Sequence, residues 1–105
     1  MSSELFDILN NQENKELFKV RGREITKYEV VDNLYDDECA VIVFYETSKG
    51  PIHEIYYFLY YPYRRAYGIC KKKLFSYEHS KPISRAMRRR VANFFRVLGY
   101  NFIGY

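Results

Sequence analysis

The sequence contains no tryptophan, two cysteines, three prolines and five glycines in 105 residues. Cys39 and Cys70 are too few for a disulfide scaffold, and no CxxC pair is present to mark a zinc or redox site. Each is expected as a thiol in a reducing compartment, with a Cys39–Cys70 bridge open only if their strands are neighbours. The scarcity of Gly and Pro, with 48% hydrophobic and 29% charged residues, excludes a disordered or low-complexity chain. The longest apolar stretch, Ile55 to Pro62, falls well short of the roughly 18 residues that span a bilayer. Met1-Ser2-Ser3-Glu4 lacks the basic start and apolar run of a signal peptide, so a cytoplasmic location is expected.

The sharpest deficit is of acid in the second part of the chain. Residues 63–105 carry 11 Lys/Arg against one acid, Glu78, whereas residues 1–62 carry 6 Lys/Arg against 12 Asp/Glu. The overall net charge of +4 therefore conceals a segregation around Pro62. A concentrated positive field of this kind raises the local concentration of polyanions or of an acidic protein partner.

Aromatic residues are abundant instead: 12 Tyr and 8 Phe. A tyrosine couples a large apolar ring to a hydroxyl that needs a partner, which suits half-buried sheet faces and interfaces. At this length one domain is expected.

Ser2 or Ser3 can cap a short helix carrying Leu5, Phe6, Ile8 and Leu9, ending at Asn10-Asn11. Leu17 to Ile25 reads as a small hairpin around Gly22. Thr26 and Glu29 have the capping-box spacing, predicting a helix over 27–35, with an extended segment over 25–33 as the competing reading. Cys39 to Thr47 and Ile52 to Tyr61 read as antiparallel strands joined at Ser48-Lys49-Gly50-Pro51, and a third strand is expected through Tyr67 to Phe75. Both paired strands are apolar on both alternations, so the second face of their sheet calls for a helix, a partner subunit or a ligand to cover it. Ser80-Lys81-Pro82 is expected to open a final helix that Gly99 ends. On that helix Ile83, Met87, Val91, Phe94 and Leu98 form one stripe, with Phe95 and Val97 at its edges. Arg85, Arg88, Arg89 and Arg96 lie opposite. Arg90 falls among the apolar residues and requires a partner, for which Glu29, Asp32 and Glu54 are candidates.

The fold class expected is α+β: an antiparallel sheet of three or more strands, a C-terminal amphipathic helix and one or two N-terminal helices. The candidate binding residues are Arg64, Arg65, Lys71, Lys72, Lys73, Lys81, Arg85, Arg88, Arg89 and Arg96, with Tyr61 and Tyr63 beside them. Arginine suits phosphate because its planar fork donates two parallel hydrogen bonds, and aromatic rings beside a basic rim suit unpaired bases. The aromatic signature of RNA-recognition domains is absent. The leading expectation is a non-enzymatic protein that engages nucleic acid or a nucleoprotein complex. The runner-up is a small inhibitor or accessory subunit, of the kind used by viruses and mobile elements, acting on an acidic protein surface; self-association as a homodimer is a further expectation. A small ribonuclease built on His53 and His79 with Tyr77, Lys73 and arginines is the third. No metal-ligand spacing, phosphate-binding glycine loop, nucleophile elbow or HExxH appears, so neither a cofactor nor a metal is expected.

Overall fold

A computed structural model describes residues 4–33, 38–61, 66–70 and 83–104. In chain order these form helix α1 (Glu4–Leu9), a 3-10 helix (Gln12–Phe18), and strands β1 (Glu24–Asn33), β2 (Glu38–Thr47), β3 (Gly50–Tyr61) and β4 (Ala66–Cys70). Helix α2 (Arg85–Val97) and strand β5 (Asn101–Gly104) follow. One sheet holds all five strands in the order β1-β2-β3-β4-β5, antiparallel except for the parallel β4–β5 pair. The architecture is the α+β domain that composition and patterning predict.

Residues 27–33 are strand, not helix. Ile25, Thr26, Tyr28, Val30 and Val31 favour a pleated backbone, and Tyr28, Val30 and Val31 sit opposite Val43, Val41 and Ala40 of β2. Nine cross-strand partners outweigh the capping-box spacing of Thr26 and Glu29, and a register shift between Ile25 and Lys27 absorbs Thr26. The predicted hairpin over 17–25 is also replaced. Leu17 and Phe18 complete the 3-10 helix, and Gly22 turns the chain into β1 at φ 81°, a conformation open to glycine. The β2–β3 hairpin turns at Ser48-Lys49 as expected, with Gly50 at φ 112°. The third predicted strand is present as β4; residues 71–75 lie outside the described residues.

Cys39, Val41, Val43 and Tyr45 of β2 share one sheet face with Tyr28, Tyr56 and Phe58, and all are buried there. Leu5 and Leu9 of α1, Phe18 of the 3-10 helix, and Met87, Val91 and Phe95 of α2 cover that face and complete the core. The stripe on α2 is rotated from the predicted one. Phe95 is fully buried, Phe94 is half-buried and Leu98 is 48% exposed. The cause is Phe58, whose ring meets Phe95 at 6.0 Å and sets which side of α2 faces the sheet.

The opposite sheet face carries Lys27, Glu29, Val31, Ala40, Ile42, Phe44, His53, Ile55 and Tyr57. Tyr57 is buried, while Ile42, Phe44 and Ile55 are half-buried and Val31 is 51% exposed. All three described helices contribute to the other face. The Cys39–Cys70 bridge is excluded, because β3 separates their strands and Cys39 is a free thiol, its Sγ 3.4 Å from Asp32 Oδ1.

Two tyrosine hydroxyls tie the N-terminal helices to the sheet. Tyr28 donates to the Leu9 carbonyl at 2.6 Å and Tyr45 donates to the Phe18 carbonyl at 2.5 Å. Each accepting carbonyl is the last of its helix and lacks an intrahelical donor. Burial drives the phenol pKa of Tyr28, Tyr45 and Tyr56 upward, with Tyr45 and Tyr56 also hydrogen-bonded to each other.

Candidate functional site

Ser84 caps helix α2, four residues after the serine predicted to cap it; Ser80, Lys81 and Pro82 lie outside the described residues. The Ser84 Oγ accepts the Met87 amide at 3.2 Å. At the other end Gly99 ends the helix as expected, at φ 93°. Its N–H donates to the Arg96 carbonyl and the Tyr100 N–H donates to the Phe95 carbonyl, each at 3.0 Å. This reversal feeds the chain directly into β5 and brings Phe102 back beneath α2. There its ring stacks on Phe95, with centroids 5.3 Å apart and planes 24° apart.

Between α2 and β5 lies a cleft of about 330 Å³, lined by Arg85, Arg88, Arg89, Ala92, Arg96 and Phe102. The five α2 positions follow the three- and four-residue steps of one helix face, and Arg85 to Arg96 spans about 16 Å along the axis. Among the described residues, no acidic side chain lines the cleft. The described ion pairs, Lys19–Glu16, Arg23–Glu54 and Lys27–Glu29, all lie elsewhere. Among the described residues, none of the four arginines pairs with a carboxylate. Arg85, Arg89 and Arg96 are exposed; Arg88 is half-buried, donates to the Ile83 carbonyl at 3.4 Å, and has a buried Nε–H with no protein acceptor.

The structure thus brings together four of the predicted binding residues. Tyr61 ends β3. Tyr63, Arg64, Arg65, Lys71, Lys72, Lys73 and Lys81 lie outside the described residues. Ala92 and Phe102 escaped the sequence reading. Ala92 sits four residues from both Arg88 and Arg96, a spacing that places it on their helix face, whereas Phe102 reaches the cleft only through the chain reversal at Gly99.

Arg90 leaves α2 on the core side. Its expected carboxylate partner is replaced by a backbone carbonyl: Nη2 donates to Lys19 O, just past the 3-10 helix, and its buried Nε–H has no protein acceptor. The guanidinium reaches this orphan carbonyl because Lys19 follows Phe18, a core residue under α2. Arg90 therefore links α2 to the 3-10 helix and takes no part in the cleft. His53 is exposed beside Phe44 on the far sheet face, so the sheet separates it from Arg90. His79, Tyr77 and Lys73 lie outside the described residues.

Among the described residues no cluster of His, Cys, Asp and Glu has the arrangement to hold a metal ion, and no helix is long and apolar enough to cross a membrane. No protein-family model, curated protein or solved structure matches this chain.

Proposed function

We propose that the α2–β5 cleft binds the phosphates of a nucleic acid and that the protein acts by binding, without catalysing a reaction. The observation that carries this reading is the convergence of Arg85, Arg88, Arg89 and Arg96 on one cleft to which no described residue adds a carboxylate. Guanidiniums at three- and four-residue spacing repel one another in the free protein, and Arg85 and Arg88 stand in a first turn that has no acidic residue, where the helix dipole disfavours positive charge. Such a local conflict is expected where a ligand resolves it. Phosphate oxygens supply that resolution through charge-assisted, bidentate hydrogen bonds. The sequence as a whole carries a net charge of +4, which favours a polyanionic partner. The buried free thiol of Cys39 supports a reducing, cytoplasmic setting.

Fluorescence anisotropy with labelled oligonucleotides across a salt series tests the reading. Four phosphate contacts make log K fall against log salt with a slope of about −3. Alanine at the exposed Arg85, Arg89 and Arg96 together is expected to flatten that slope to about −1 while leaving the melting temperature near that of the parent. Absence of binding at low salt, or an unchanged slope in the triple variant, refutes it.

A further inference from the structure

The proposal that follows rests on the nucleic-acid reading of the cleft and names the form of nucleic acid it takes. Contact with phosphates alone requires only charge, yet the floor of this cleft is apolar: Ala92 from α2 and Phe102 from β5 lie among the arginines. Phe102 is held firmly. One side of its ring stacks on Phe95, which in turn meets Phe58 in the core, and 8% of Phe102 remains exposed. An aromatic surface rimmed by guanidiniums matches an unpaired base joined to its flanking phosphates. A volume of about 330 Å³ lies at the small end of ligand sites and suits a single nucleotide unit. A duplex keeps its bases stacked and paired, and so has no free base to place on that floor. We infer that the cleft receives single-stranded nucleic acid, with one base against Phe102 and Ala92 and neighbouring phosphates on Arg85, Arg88, Arg89 and Arg96.

The discriminating experiment compares four labelled probes on the full chain at one low salt concentration: a single strand, the same strand made abasic, the corresponding duplex, and inorganic polyphosphate. The intact single strand is expected to bind about fivefold or more tightly than the abasic one, the size of a modest stacking contact. The duplex is expected to bind no better than the abasic strand. Phe102→Leu keeps the position apolar and is expected to erase the intact-over-abasic preference while leaving the salt slope unchanged. If that variant melts like an unfolded chain, the probe comparison on the parent protein decides alone. Equal binding of intact and abasic strands, or a preference for duplex, overturns the inference while leaving phosphate binding intact. If no nucleic-acid probe binds, this inference and the preceding one fall together; binding of polyphosphate alone does the same.

Discussion

Replacing Tyr45 with phenylalanine keeps the ring in the core and removes one hydroxyl, and the loss is large for so small a change. That hydroxyl donates to the Phe18 carbonyl at 2.5 Å and lies beside Tyr56. The substitution strands a buried carbonyl at a helix end and removes the hydroxyl that neighbours Tyr56. Each unsatisfied buried group costs about 1–3 kcal/mol, so Tyr45→Phe is expected to lose about 2–3 kcal/mol. Tyr28→Phe strands the Leu9 carbonyl alone and should lose about 1–2 kcal/mol. In a domain of this size these losses lower the melting temperature by roughly 10–15 °C and 5–10 °C. Urea titrations followed by far-ultraviolet circular dichroism provide the assay, since the chain has no tryptophan to report by fluorescence. A loss below about 0.5 kcal/mol for Tyr45→Phe, or a larger loss for Tyr28→Phe, would refute the view that these hydroxyls serve as caps for the two N-terminal helices.

The same phenols predict an alkaline limit to stability. Burial first, and for Tyr45 the neighbouring Tyr56, holds Tyr28, Tyr45 and Tyr56 neutral above the ordinary tyrosine range, so the unfolded chain ionises first. Their stabilisation is complete below about pH 10 and declines above it as the unfolded chain sheds phenol protons that the folded chain retains, by up to about 4 kcal/mol per pH unit if all three are linked. Urea midpoints between neutral and strongly alkaline pH should drop less steeply in Tyr28→Phe than in the parent, and identical slopes would contradict this. Arg90→Ala is expected to lose about 0.5–1.5 kcal/mol by removing its bond to the Lys19 carbonyl, while oligonucleotide affinity, compared at a temperature where both proteins are folded, stays within about twofold. A variant of unchanged stability and weakened binding would move Arg90 into the binding surface.

The arginine face was legible because it depends on helical period alone: Arg85, Arg88, Arg89 and Arg96 repeat on one side wherever α2 packs. The strands of the β2–β3 hairpin and the stop at Gly99 were equally readable, since local backbone preference and tertiary packing agree there. Tyr28 and Val30 show where the reading fails. Their spacing admits a helix or a strand, and only the presence of Val41 and Val43 alongside decides between them. Leu17 and Phe18 were misplaced because a 3-10 turn has no distinct sequence period. Phe102 could not be assigned to the cleft, for it lies there only because Gly99 reverses the chain and β4 offers an open edge for parallel pairing. The partner of Arg90 was missed for a related reason: charge patterns reveal carboxylates but not unbonded carbonyls.

The parallel β4–β5 pair has a consequence for how the protein is made. Strands β1 to β4 follow one another as an antiparallel meander and can assemble in the order in which a ribosome releases them. Ala66, in contrast, pairs with Asn101, a partner synthesised much later. Until α2 emerges and docks, Phe58 lacks Phe95, and the core side of the meander is sheltered only by the small N-terminal helices. The nascent chain thus passes through an interval with a formed sheet and one bare apolar side, the stage at which sticking between chains competes with completion of the fold.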